Sequence, residues 1–127
     1  MHIEHIAIWT RQLEALKTFY ETYCAARANQ KYTNPKTHFE SYFLTFASGP
    51  HLELMQRPDI EGAQTTEQTV GYAHLAFSVG SKEEVDRLTQ RLAKGGYQVV
   101  NAPRTTGDGY YESVVLDPDG NRVEITV

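Results

Sequence analysis

Along most of this chain apolar and polar residues alternate with a period of two, and twice the period lengthens to that of a helix. Ile6 and Ile8 fall on one side of an extended segment over 3–9, with Ile3, His5, Ala7 and Trp9 on the other. Leu13, Leu16, Phe19, Tyr20 and Tyr23 then follow at helical spacing, which predicts an amphipathic helix over 11–24 with Thr10 as its N-cap. Residues 26–33 read as an irregular strand that Asn34-Pro35 breaks. An aromatic-rich strand over 41–47 and the turn Ser48-Gly49-Pro50 come next. The returning strand, 51–57, sets Leu52 and Leu54 on one face and His51, Glu53, Met55 and Arg57 on the other.

The stretch 58–71 is polar and holds Pro58, Gly62 and Gly71, which predicts a linker. After it the order repeats. Residues 72–79 alternate as a strand, with Ala73, Leu75, Phe77 and Val79 opposed to Tyr72, His74, Ala76 and Ser78. Ser81 and Glu84 form a capping box, Val85, Leu88 and Leu92 carry the helix, and Gly95-Gly96 ends it. A short strand over 97–101, a polar loop over 104–109 and a strand over 110–116 follow. Asp117-Pro118-Asp119-Gly120 then reverses the chain into a last strand, with Val123, Ile125 and Val127 facing away from Arg122, Glu124 and Thr126.

The pattern is therefore βαβββ twice, a module over 1–57 and a module over 72–127, within one domain. His5-Ile-Ala-Ile matches His74-Leu-Ala-Phe, and Leu52-Glu-Leu matches Val123-Glu-Ile. The predicted fold is α+β: each helix covers one face of its sheet, and the opposite faces line a curved, mostly antiparallel cup.

Four residues fall mid-strand on that second face: His5, Glu53, His74 and Glu124. The spacing from His5 to Glu53 is 48 residues and from His74 to Glu124 it is 50. A lone strand histidine is most often only hydrogen-bonded or exposed, and a lone glutamate only solvated. Four of them at matching parity and matching places in two repeats make coincidence a weak account. Two imidazoles and two carboxylates suit one borderline divalent ion such as Zn²⁺, Ni²⁺, Co²⁺ or Fe²⁺. If the ion is octahedral, positions stay open for a substrate. His2 and His38 lack such a pattern and read as surface residues; His51 has the right parity but reads as rim. No Gly-rich phosphate loop, Ser-His-Asp arrangement or Cys-x-x-Cys is present.

Composition narrows the picture further. With 127 residues, 40% of them hydrophobic, the chain can bury a core. A net charge of −4 favours neither nucleic acid nor an anionic membrane surface, and no apolar run approaches a membrane span. The N-terminus has no signal pattern, and the single cysteine, Cys24, excludes an intramolecular disulfide framework, so a reduced cytoplasmic setting is expected. Cys24 itself reads as packing.

The segments Ile3-Glu-His5-Ile-Ala, Leu52-Glu53-Leu, His74-Leu-Ala-Phe and Asp117-Pro-Asp-Gly-Asn-Arg-Val-Glu124-Ile resemble the vicinal oxygen chelate superfamily, which includes glyoxalase I, fosfomycin-resistance proteins, bleomycin-binding proteins, methylmalonyl-CoA epimerases and extradiol dioxygenases. The resemblance spans essentially the whole chain, and the order His, Glu, His, Glu is that of glyoxalase I. It implies a metal-dependent lyase or isomerase acting through an enediolate on vicinal oxygens, in a hemithioacetal or an α-hydroxy carbonyl. The metal ligands would be His5, Glu53, His74 and Glu124, with Glu53 and Glu124 as the catalytic proton carriers. Ni²⁺ or Zn²⁺ comes first as the ion, with Co²⁺, Fe²⁺ and Mn²⁺ open. Trp9, Arg57, Arg104 and Tyr111 are the expected substrate-binding wall.

Two positions depart from bacterial glyoxalase I. Trp9 stands where an arginine usually meets the glutathione carboxylate, and Arg57 stands where an asparagine is usual. The substrate is thus a small molecule, free or as a thiol adduct, with glutathione left open. Two alternatives remain: a metal-independent binding protein of the bleomycin-resistance kind, walled by Trp9, Tyr42, Tyr72, Tyr110 and Tyr111, or a fosfomycin-modifying thiol transferase. A linker of 14 residues reaches roughly 45 Å when extended, enough for the second module to pair with a first module of its own or of another chain. Relatives of this size imply a homodimer with sites built from both chains.

Overall fold

The computed structural model describes residues 1–62 and 70–127, and the chain divides into two compact units, Met1–Ala63 and Gln64–Val127. Half of the expected linker, 63–69, lies outside the described residues. Each unit is a helix laid on one face of an open, mostly antiparallel sheet, so the chain has the α+β, tandem-module character its alternation predicts. Among the described residues no helix is long and apolar enough to cross a membrane.

The first unit runs β1 (His5–Trp9), α1 (Leu13–Tyr23), β2 (Arg27–Ala28), β3 (Tyr32–Thr33), β4 (Glu40–Thr45) and β5 (His51–Gln56). Its sheet has the order β1-β5-β4-β2, and β3 also pairs with β4, so the irregular strand expected over 26–33 is two short pieces on one neighbour. β1 and β5 are parallel; the remaining pairs are antiparallel. The apolar stripe of α1, Leu13, Leu16, Phe19 and Tyr20, is buried, as are Leu44, Leu52 and Leu54 of the sheet. Each such side chain contributes roughly 1.5–3 kcal/mol by leaving water. Tyr42 belongs to this covered side. Its hydroxyl donates to Glu14 of α1 at 3.0 Å, and Lys17 and Lys31 lie over its ring. The Lys31 ammonium, 2.8 Å from Glu14, holds that carboxyl below its usual range.

Thr10 does not cap α1. It is buried just past the end of β1, where its N–H donates to the Met55 carbonyl, and its hydroxyl accepts the N–H of Gln12. The helix starts three residues later, and the N–H of Leu13 is satisfied from across the sheet by Gln56 Oε1 at 3.0 Å. A long-range side chain thus replaces the local cap.

The second unit runs β6 (Leu75–Ser78), α2 (Lys82–Lys94), β7 (Val99–Thr105), β8 (Tyr111–Leu116) and β9 (Arg122–Thr126), with the sheet order β6-β9-β8-β7 and β6 parallel to β9. Ser81 Oγ accepts the N–H of Glu84, as a cap should, while the Glu84 carboxylate turns to Arg87 instead of back to the cap. At the other end the N–H of Tyr97 reaches the Leu92 carbonyl and that of Gly96 reaches Ala93, a Schellman closure that needs the φ of +88° only Gly96 adopts without strain. β7 is longer than expected and takes in Pro103 and Arg104, so the polar loop is shorter. The strand lies at the sheet edge and carries two register shifts, a setting where a proline removes no needed hydrogen bond.

α2 is fixed to β8 by a buried hydroxyl chain. Ser113 and Thr89 sit 2.6 Å apart, and Thr89 donates to the Val85 carbonyl at 2.6 Å, so Ser113 is the donor to Thr89. Ser113 is fully buried. Thr89→Val would strand the Ser113 hydroxyl, at a cost of about 1–3 kcal/mol. The double change Thr89→Val with Ser113→Ala is expected to recover most of that loss, as urea unfolding of the three proteins would show.

Candidate metal centre

In each unit the first strand runs parallel to the strand bearing a glutamate; His5 opens β1, whereas His74 stands one residue ahead of β6, which begins at Leu75 and not at 72 as the alternation predicts. On β1 and β5 the register pairs His5 with His51 and Ala7 with Glu53. Glu53 therefore stands diagonally from His5, two residues on and on the same face. On β6 and β9, Ala76 pairs with Glu124, and His74 precedes Ala76 by two, giving the same diagonal. The strand offsets are 51 − 5 = 46 and 123 − 75 = 48. Adding the diagonal step of two gives the 48 and 50 residues between each histidine and its glutamate.

The two carboxylates are held from behind by buried neighbours, Leu52 and Leu54 for Glu53, Val123 and Ile125 for Glu124. Their side chains are 14% and 15% exposed, and those of the histidines 41% and 42%. His5 Nε2 lies 3.9 Å from Glu53 Oε2, and His74 Nε2 lies 3.4 Å from Glu124 Oε2. Two donors each about 2.0–2.2 Å from one ion lie about 3–3.5 Å apart at tetrahedral or octahedral angles. The second pair meets that separation and the first is within a few tenths of an ångström. Each unit thus supplies one nitrogen and one oxygen donor suited to a divalent ion, and among the described residues no group of three or more such donors forms.

Electrostatics set Glu124 apart. Burial pushes its carboxyl above the ordinary 4.5; His74 opposes the rise, and the neighbouring Glu112 adds to it by charge and by hydrogen bonding. Glu112 is paired in turn with Arg104 Nη2 at 3.8 Å, across from it in the β7–β8 register. Arg104 therefore belongs to the same face as Glu124. Sequence reasoning did not single out Glu112, because the run Ser113-Val114-Val115-Leu116 hides the alternation that would have assigned it a face. Nor did it single out Glu4, whose carboxylate is hydrogen-bonded to His5 Nδ1. Glu4 precedes β1 and so escapes the strand's alternation.

Of the expected wall residues, Trp9 lies on the His5 face at the far end of β1, 41% exposed. The Arg57 guanidinium is 5.0 Å above its ring and also pairs with Asp59 at 2.8 Å, while Phe39 meets Trp9 edge-on at 6.1 Å. Tyr111 is a correction. It shares its face with Ser113, its hydroxyl donates to Asp86 of α2 at 2.7 Å, and Lys82 lies over its ring, so it is on the helix-covered side, away from Glu124. Tyr42 is likewise on the covered side of its sheet; Tyr72 and Tyr110 are exposed. Cys24 is half-buried at the C-cap of α1.

The comparisons with known proteins agree with this architecture. The profile of the Glyoxalase/Bleomycin resistance protein/Dioxygenase superfamily matches residues 2–125. The uncharacterized protein YqjT of Bacillus subtilis is 29% identical over 132 residues, covering 97% of this chain and 96% of the relative. Among solved structures, glyoxalase I from Zea mays superposes with a TM-score of 0.81 at 18% identity, over 98% of this chain and 44% of that one. The trypanothione-dependent glyoxalase I of Leishmania major gives 0.77 at 21% identity, over 99% and 86%. At these identities the two structures speak for the fold alone.

β9, and with it Glu124, is anchored by the turn before it. Buried Asp117 accepts the N–H groups of Asp119 and Asn121 on Oδ1, each at 2.9 Å, and the Asn121 amide on Oδ2 at 2.7 Å; Gly120 closes the turn at φ +83°. Asp117→Ala removes the acceptors of two backbone donors and is expected to destabilise the protein by about 1–3 kcal/mol or more. Asp117→Asn, which keeps one acceptor oxygen, is expected to lose less in the same urea titration.

Proposed function

We propose that this chain, which belongs to the Glyoxalase/Bleomycin resistance protein/Dioxygenase superfamily, is a metal-dependent lyase or isomerase of the glyoxalase I type. Its substrate would be a small molecule with vicinal oxygens, a hemithioacetal or an α-hydroxy carbonyl. The observation that carries the reading is the pair of matched imidazole–carboxylate diagonals, alike in register and exposure, with separations of 3.9 and 3.4 Å. The chain's membership in a family whose folds include named glyoxalase I structures supports the direction of the proposal.

His5, Glu53, His74 and Glu124 would hold one divalent ion, Ni²⁺ or Zn²⁺ first. Such an ion, when bound, supplies the Lewis acidity that loosens a C–H beside a carbonyl. The proton itself would be carried by the chain. Glu124, with its carboxyl pushed up by burial, suits a group that takes a proton from one carbon and returns it to the next; Glu53 is the matching carboxylate of the first unit. Arg104 and Arg57 would meet an anionic substrate group, and Trp9 would pack against its apolar part. Tyr111 has no part in this reading.

The aromatic cluster of exposed Trp9 and Tyr32 with half-buried Phe39 between them favours a second reading, a binding protein that sequesters a flat molecule without a metal. Metal content separates the two. The purified protein, dialysed against Zn²⁺ or Ni²⁺, is expected to retain about one ion per four-residue site, and His74→Ala to lose it. Unchanged metal content in His74→Ala would sink the four-ligand site and leave the sequestering reading in place.

We also propose that the working form is a homodimer in which His5 and Glu53 of one chain act with the partner's His74 and Glu124. Glu53→Gln and Glu124→Gln proteins, each inactive alone, are expected to regain metal binding in part when unfolded and refolded together. Failure of the mixture to bind more metal than either parent would show that each site belongs to a single chain.

A further inference from the structure

The histidines of the two units match in exposure and lie 3.9 and 3.4 Å from their glutamates, but they differ in what stands behind the ring. His5 Nδ1 is hydrogen-bonded to Glu4 Oε2. The residue ahead of His74 is Ala73, which has no side-chain acceptor to offer. Glu4 is itself held in place: its backbone carbonyl accepts the N–H of His51 at 3.0 Å, which ties it to the first residue of β5. Its second oxygen, Oε1, lies 3.7 Å from His51 Nδ1, and His51 is the residue directly across from His5 in the β1–β5 register. One carboxylate thus spans the Nδ1 atoms of two facing rings. Phe43 closes on the His5 ring edge-on at 5.5 Å and limits its rotation.

A neutral imidazole has one N–H and one lone pair, and an ionised carboxylate can only accept. The bond to Glu4 therefore places the His5 proton on Nδ1 and leaves the lone pair on Nε2, the atom that faces Glu53 at 3.9 Å. A metal-ligating histidine needs this arrangement, in which the ring nitrogen remote from the ion donates to an acceptor that fixes its tautomer and angle. We propose that Glu4 is a positioning residue of the metal centre, setting the tautomer and orientation in which His5 offers Nε2 to the ion. The inference rests on the four-ligand reading above and adds an asymmetry to it: the His5 half of the donor set is preorganised by a carboxylate that the His74 half lacks at the matching place.

Two readouts test this, and neither is turnover. Nitrogen NMR of the metal-free protein reports the tautomer of His5; competition with a chromogenic chelator reports Zn²⁺ affinity. The wild-type ring is expected to be protonated on Nδ1. Glu4→Ala is expected to shift His5 toward the Nε2-protonated form and to weaken Zn²⁺ binding by about 10–100-fold. Glu4→Gln keeps an acceptor oxygen, so it should preserve the tautomer and stay within a few-fold of wild type. Glu4 is 63% exposed, so its removal leaves the core intact. An unchanged tautomer or an unchanged affinity in Glu4→Ala overturns the role, and so does an equal loss in Glu4→Gln, which would trace the effect to charge alone. Wild-type protein that takes up no Zn²⁺ overturns the metal site itself; uptake by wild type and Glu4→Ala alike sinks only the role of Glu4.

Discussion

The parallel pairing of the first and last strands in each module is the constraint on which the rest depends. In both sheets every other pairing is antiparallel. A parallel pair needs a long crossover, and here the helix and the intervening strands supply it. That pairing puts the histidine strand beside the glutamate strand at a fixed offset. The period of two then sends imidazole and carboxylate to one face, and Ile6, Ile8, Leu52 and Leu54, or Leu75, Phe77, Val123 and Ile125, to the other. The imidazole–carboxylate pairs follow from the same alternation that builds the core, with His74 standing one residue ahead of its strand.

The two open faces share this frame and differ in chemistry. On the first, the surroundings of His5 and Glu53 are aromatic: Phe43 beside the ring, and Trp9 with Phe39 and the stacked Arg57 farther along. On the second, His74 and Glu124 stand among charges, with Glu112 and Arg104 on the neighbouring strands. The first face thus has an aromatic end, and the second a charged one. The carboxylates tolerate their burial because each has an imidazole within reach and a solvent-facing edge.

Much of this was legible in the sequence because it is written in strict alternation. β1, β5 and β9 each keep the period of two across their length, and the repeat of His-x-Ala and apolar-Glu-apolar in both halves singled out the four residues of the proposed donor set. What failed to be legible depends on contacts between distant residues. Thr10 looks like a cap until Gln56, from another strand, is seen to serve the helix start. Tyr111 looks like a wall residue until Thr89 is seen to bury Ser113, which fixes the face of β8 that Tyr111 shares. β7 runs on through Pro103 because it is an edge, and edge position is not visible in a linear pattern. Glu4 and Glu112 were missed because one sits outside its strand and the other in a run without alternation.

The diagonal between histidine and glutamate has a consequence for how such a chain can change over generations. A slip of one residue in β5 or β9 would bury a carboxylate against the helix and turn a leucine or isoleucine outward. The donors therefore cannot drift along their strands while the fold survives. A descendant can keep such a side chain or exchange it in place for one of similar size, and so change the chemistry of that face without moving its backbone. Chemistry on this scaffold is free to diversify by substitution at a few fixed addresses, while insertion or deletion inside these strands is closed to it.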